Sequence, residues 1–214
     1  MINTIPKLKL MVAFIAAAES QYGQALSVKT GLSKAKTYTT LYDLLDKGLL
    51  SCRTEIGDKG ERKRELREYY QLTNKGEESI NLMLKDLNLD LSNNGYVAEG
   101  SVPELPYRTT IALIKVMASL AQENDFIAGG QLTQQIGSKN NVVYPMLRRL
   151  NDAGFVDIEV KKIEHICATS EEVKHYKITD FGFAWINSQV AKLGLAIPNT
   201  KVEIPAKVME PVAA

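Results

Sequence analysis

Sliding the sequence along itself by 106 residues aligns positions 8–76 with positions 114–182 without a gap, at about 14 identities. Matched pairs include Met11 with Met117, Gly23 with Gly129, Leu26 with Leu132, Gly31 with Gly137, Tyr38 with Tyr144 and Leu41 with Leu147. The agreement continues through Leu44 with Leu150, Asp46 with Asp152, Gly48 with Gly154, Tyr70 with Tyr176, Thr73 with Thr179 and Gly76 with Gly182. A chain written twice in one register is expected to fold as two copies of one unit, and 214 residues are enough for two domains of about 100 residues each. The expected division is a first domain over 1–91, a linker over 92–106, a second domain over 107–194 and a flexible tail over 195–214. Ser92–Pro106 is rich in turn-forming residues, and Pro198, Pro205 and Pro211 keep the tail non-helical.

Each copy reads the same way. Apolar residues at three- and four-residue spacing predict a first helix over Leu8–Ala18 and again over Ile111–Ala121. A short second helix follows, about Gln24–Thr30 or Gln131–Ile136, stopped by Gly31 or Gly137. A third helix begins near Ser33, a good N-cap, and places Leu41, Leu44 and Leu45 on one face before Gly48. Two helices joined by a glycine turn at this spacing predict a helix-turn-helix. Strands over Leu49–Ile56 and Arg67–Thr73, with a polar loop over Gly57–Arg64, predict a hairpin in which Tyr70 and Leu72 face inward. The second copy offers Phe155–Ile163 and Val173–Thr179 around His165–Glu172, and helices over Glu77–Leu87 and Phe183–Leu193 close the two units. The expected fold class is mainly α with small β-hairpins (α+β), two tandem winged helix-turn-helix units.

Thr30–Leu50, TGLSKAKTYTTLYDLLDKGLL, resembles the turn, recognition helix and first wing strand of MarR-like winged-helix regulators. VVYPMLRRLNDAGFV over 142–156 and HYKITDFG over 175–182 resemble the core and wing-strand motifs of the PadR family. GERKRELREYYQLTNKG over 60–76 is similar to the PadR pattern of a basic wing tip followed by paired tyrosines. The resemblance covers both repeats and implies winged-helix DNA-binding regulators. PadR regulators usually carry one such domain and dimerise through a terminal helix, so two domains in one chain depart from that pattern.

Composition narrows the alternatives. With 45% hydrophobic and 24% charged residues the chain can bury a core, which excludes collagenous and disordered classes. The net charge of +1 means that a nucleic-acid partner has to be met by local patches. Cys52 and Cys167 lie far apart without metal-ligand spacing, which points to two buried or inert thiols in a reducing, cytoplasmic compartment. Lys7 and Lys9 before the apolar run Leu10–Ala18 have the layout of a secretory signal, but the same kind of run recurs at Leu113–Ala121, so a core helix is expected; the run is too short to span a membrane. There is no phosphate loop, His/carboxylate constellation or nucleotide fingerprint, so no enzyme and no cofactor are expected. His165, Cys167 and His175 lack a fourth metal ligand, and Cys167 lacks a positioned base for thiol catalysis.

The expected partner is double-stranded DNA. The outward candidates on the first copy's third helix are Lys34, Lys36, Tyr38, Thr39, Thr40 and Tyr42, and on the second copy's Lys139, Asn140, Asn141, Tyr144, Arg148 and Arg149. Lysine reaches guanine or phosphate, asparagine suits adenine and arginine suits guanine, so the two helices should prefer different sequences. The wing candidates are Lys59, Arg62, Lys63 and Arg64 in the first copy and Lys161 and Lys162 in the second, with the first wing expected to supply more of the salt-dependent affinity. Bland readings stand beside these: Tyr38 and Tyr144 as core residues, Arg148 and Arg149 as partners of Asp152, and Glu61–Glu68 as a solvated loop. A transcriptional regulator is the leading expectation. A plasmid or phage replication or partition protein, or a protein-interaction subunit of a chromosome-segregation complex, is the alternative. Apolar residues within Ile80–Leu91 and Trp185–Leu193 exceed what one core needs, so a homodimer through the closing helices is expected; the residues name no small-molecule effector.

Overall fold

A computed structural model describes residues 2–17, 19–59, 63–91, 109–164 and 170–198; for 56–59, 63–66, 163–164 and 170–171 it describes the backbone alone. The linker Ser92–Pro106 and the tail from Asn199 onward lie outside the described residues. The first half runs α1 (Ile5–Ile15), β1 (Gln21–Tyr22), α2 (Gly23–Thr30), α3 (Lys34–Asp46), β2 (Leu50–Lys59), β3 (Lys63–Leu72), α4 (Asn74–Leu87) and β4 (Asp90–Leu91). The second half has the same order: α5 (Ile111–Gln122), β5 (Ile127–Ala128), α6 (Gly129–Gln135), α7 (Asn140–Asp152), β6 (Val156–Glu164), β7 (Ser170–Ile178), α8 (Asp180–Ala191) and β8 (Leu195–Ala196). The chain is therefore a mixed α+β protein with eight helices and small antiparallel sheets among the described residues.

The 106-residue offset recurs in the strand register. Gln21 faces Tyr70 in the β1–β3 pair and Ile127 faces Tyr176 in the β5–β7 pair. Leu50 faces Leu72 and Val156 faces Ile178 in the two hairpins. The sheets have the orders β1-β3-β2 and β5-β7-β6.

The shared residues do the same work in each half. Gly31 and Gly137 take left-handed conformations (φ 66° and 60°) after α2 and α6, a region that costs other residues roughly 1 kcal/mol or more. Thr73 Oγ1 accepts from the Gly76 N–H at 3.1 Å and donates to the Gly48 carbonyl at 2.8 Å, capping α4 and tying it to the turn before β2. Thr179 caps α8 identically, through Gly182 at 3.0 Å and the Gly154 carbonyl at 2.8 Å. Thr73→Ala is expected to cost about 1 kcal/mol, measured by urea unfolding; a change indistinguishable from zero would mean that the cap contributes nothing.

Several boundaries differ from the sequence reading. Each hairpin is longer than expected, because Gly57–Lys59 and Lys63–Arg64 pair as strand, as do the stretches up to Glu164 and from Ser170. A protruding ribbon needs only backbone pairing, so polar residues do not end it. α1 begins at Ile5, with Pro6 in its first turn, and stops at Ile15. The segment 195–197, assigned to a flexible tail, begins instead as strand β8 and is buried at Leu195 and Ile197.

The halves share one core. Leu8 and the run Leu10–Phe14 are all buried, as are Leu113, Ile114, Val116, Met117, Ala118 and Leu120, so α1 and α5 keep almost no solvent face. α5 packs on α8 of its own half and on α4 of the other. The Lys115 ammonium meets Asp86 at 2.5 Å, the Asn88 and Gln122 side-chain amides bond to each other, and Gln122 Nε2 donates to the Asn88 carbonyl at 3.0 Å. β4 and β8 then form a two-stranded ribbon joining the halves. Of the apolar residues in the closing helices, Ile80, Leu84, Leu87, Leu89, Trp185, Ile186, Val190 and Leu193 are buried within the single chain, while Leu82 is 68% exposed. Part of the apolar surface of α4 is covered by α5 of the other half, and α8 packs on α5 of its own. No helix among the described residues is long and apolar enough to cross a membrane.

Candidate nucleic-acid interface

The αL turn at Gly31 reverses the chain into α3, whose first turn is capped by Ser33 Oγ accepting from the Lys36 N–H at 3.3 Å. Thr37, Thr40, Leu41 and Leu44 point inward, at the three- and four-residue spacing that fixes the helix on its unit. Lys34, Lys36, Thr39 and Tyr42 are left exposed on the opposite side. Thr40, placed among the outward candidates, is 5% exposed. Its hydroxyl donates to the Lys36 carbonyl at 2.7 Å, which satisfies the group locally and lets it turn inward. Thr39 bonds to the Ala35 carbonyl at 2.9 Å but remains exposed, with hydroxyl lone pairs still available.

Tyr38 and Tyr144 are half-buried. A Cβ at Gly23 would lie 2.7 Å from the Tyr38 ring, and one at Gly129 would lie 2.7 Å from Tyr144. The shared glycines thus make room for the shared tyrosines, and Tyr144 also packs edge-on against Tyr176 at 6.3 Å between centroids. These rings join the third helix to the start of the second, a positioning contact.

Asp43 bridges Lys7 at 2.7 Å and Lys47 at 2.5 Å. Hydrogen bonds from Lys47, then from Lys7, hold its carboxyl below the usual carboxylate range. The Asp43 charge on α3 is therefore matched locally rather than set against Lys34 and Lys36. Because the folded state lowers the pKa, this contribution is present above the unfolded value near 3.8 and is lost as the pH falls through the lower folded value. Asp43→Asn is expected to lower the urea midpoint at pH 7, by a margin that shrinks as the pH falls below about 3.8; a margin that does not shrink would show that the ion pair contributes nothing. The effect is small because the carboxylate is 41% exposed.

In the second half Val143, Leu147 and Leu150 hold α7 on its unit, while Lys139, Asn140, Asn141, Val142, Pro145, Arg148 and Arg149 are exposed. Pro145 has no N–H, so the Asn141 carbonyl lacks its helical donor on this outer face. Arg148 and Arg149 form no ion pair with Asp152. The two helices differ at matched positions: Lys36 stands where Val142 does, Tyr42 where Arg148 does and Asp43 where Arg149 does.

The wings differ as well. Lys59, Lys63 and Arg64 occupy strand positions of the first hairpin, but their side chains, and the whole of Arg62, lie outside the described residues. Lys161 meets Glu159 at 3.3 Å and Lys162 meets Glu172 at 4.0 Å, exposed pairs that DNA phosphates can displace at little cost. Sequence reasoning missed a cluster on the first sheet: Tyr22 and Tyr69 pack edge-to-face at 6.2 Å, with the Arg67 guanidinium 5.9 Å from the Tyr22 ring and that of Arg53 5.9 Å from Tyr69. The period-two spacing of Arg67 and Tyr69 was the available signal; Tyr22 needs the pairing of β1, which two residues do not reveal. The matched residues of the second half are Ala128, Glu159, Val173 and His175, so the fold does not require the cluster.

Elsewhere, Tyr70 donates to Glu68 at 2.5 Å, and burial pushes its phenol far above the usual range. Cys52 is exposed, and partial burial together with Glu68 raises its thiol pKa. His165 and Cys167 lie outside the described residues, and His175 Nδ1 sits 3.2 Å from the Val173 carbonyl. The described residues contain no group of three or more His, Cys, Asp or Glu side chains able to hold a metal ion.

No protein-family model matches the chain, and no curated protein matches it significantly.

Proposed function

We propose that the chain is a sequence-specific double-stranded DNA-binding protein, a transcriptional regulator built from two unequal winged helix-turn-helix units. The observation that carries this reading is the pair of helices α3 and α7. Each is anchored by its apolar side after a left-handed glycine turn and presents a polar outer face flanked by a projecting β-ribbon. Such a helix fits the roughly 12 Å major groove, and the ribbon reaches the neighbouring phosphates or the minor groove. Lys34, Lys36, Lys139, Arg148 and Arg149 have no ion-pair partner among the described residues and are free to meet phosphates and base edges. Both halves contribute: the second supplies two arginines on its helix, the first two lysines on its helix and the basic sequence of its wing.

Selection from a pool of random duplexes, followed by gel-shift measurement, tests the proposal. Enrichment of a duplex motif whose binding depends on Lys36 and Arg148 supports it; no enrichment contradicts it. Promoter occupancy in cells separates a regulator from a replication or partition protein, since the latter would concentrate at an origin or partition site.

A further inference from the structure

The ribbon that joins the halves has an informative register. Asp90 faces Ala196, and Leu91 faces Leu195. Position 196 is position 90 displaced by 106, the offset that relates the halves everywhere else. In an antiparallel pair, the two-fold axis relating the strands passes midway between a residue and its own counterpart opposite it. A local two-fold axis therefore passes between Asp90 and Ala196.

On each side of the ribbon a closing segment lies near the first helix of the other half, α4 more extensively than the segment after α8. The end of α4 lies on α5, where Asn88 meets Gln122 and Asp86 meets Lys115. The end of α8 approaches α1: a Cβ at Gly194 would stand 3.4 Å from Val12 Cγ1. Asn88 and Gly194 are matched positions and both are left-handed, at φ 55° and 72°. Leu89 and Leu195, also matched, are both buried at this junction.

We infer that one chain reads an inverted pair of unlike half-sites, at a spacing set by this shared core and not by the linker. The inference rests on the DNA-binding reading. The two-fold axis relates α3 to α7, so a duplex engaging both helices meets them in opposite orientations along its axis. The half-sites are unlike because Lys34 and Lys36 of α3 are replaced by Asn140 and Val142 of α7. Their separation is fixed because buried leucines, a strand pair and an ion pair hold the halves together. The partner is thus a duplex whose arms are inverted in orientation but different in sequence.

The test uses the full-length chain and a variant lengthened by a Gly/Ser insertion within positions 92–106. Both are assayed by anisotropy on the selected duplex, on versions with one arm reversed, and on versions with about five base pairs, half a helical turn, inserted at the centre. Reversal or insertion is expected to weaken binding on the order of tenfold or more in both proteins, with the longer linker changing nothing. Preference for direct repeats, equal binding after the insertion, or rescue by the longer linker would overturn the inference while leaving DNA binding intact. Failure of every duplex to bind would remove the DNA-binding reading and the inference with it.

Discussion

Gly182→Ala is expected to lower the free energy of unfolding by about 3 kcal/mol, at the upper end of what overpacking a core costs. A Cβ at Gly182 would stand 2.1 Å from the Phe155 carbonyl oxygen and 3.1 Å from Ile178 Cγ1. That carbonyl cannot swing away freely, because it accepts the Thr179 N–H at 3.1 Å at the start of α8. The first turn of α8 would have to move off the sheet, and α8 also carries Trp185, Ile186 and Val190 into the shared core. Gly76→Ala meets the Leu49 carbonyl at the same 2.1 Å and should cost a similar amount. Urea unfolding of both variants checks this; a loss below about 1 kcal/mol in each, against the 1–3 kcal/mol usual for overpacking, would show that the close approach is not obligatory.

The second large effect concerns binding. Arg148→Ala should weaken binding to the selected duplex by about ten- to hundredfold if the guanidinium reads a base, because a bidentate contact supplies about 1–3 kcal/mol of discrimination. Lys36→Ala should act separately on the other half-site, so that the double variant falls to the level of non-specific binding. Neither residue makes a side-chain bond within the described structure, so the melting temperatures should stay where they are. Gel shifts beside thermal melts separate the two quantities. Unchanged affinity in the double variant would place the contact surface elsewhere.

Much of the architecture was legible because the repeat compares the sequence with itself. The shared residues mark places where the backbone has few choices: left-handed turns at Gly31 and Gly137, the ring-on-glycine contacts of Tyr38 and Tyr144, and the threonine caps. The short strands were not legible, since two residues carry no period, and with them went the β4–β8 ribbon and the cluster around Tyr22. The apolar excess in the closing helices was visible, but a surplus does not name its partner; here α5 packs on both α4 and α8, and Leu82 stays exposed. Thr40 was misplaced because a threonine that bonds to the preceding turn can be buried despite its polarity. The outer faces of α3 and α7 were read from helical periodicity, and apart from Thr40 and the two half-buried tyrosines the named residues are exposed there.

In the proposed function, exposed basic side chains on both halves hold a duplex through its phosphates and base edges. Titrating the selected duplex with the full-length chain over a series of salt concentrations decides whether they do. A steep linear fall of log K with log salt is expected, its slope made shallower by about one for each phosphate-contacting lysine or arginine removed. A flat salt dependence, or a slope unmoved by replacing Lys34, Lys36, Lys139, Arg148 and Arg149 with alanine, would contradict it.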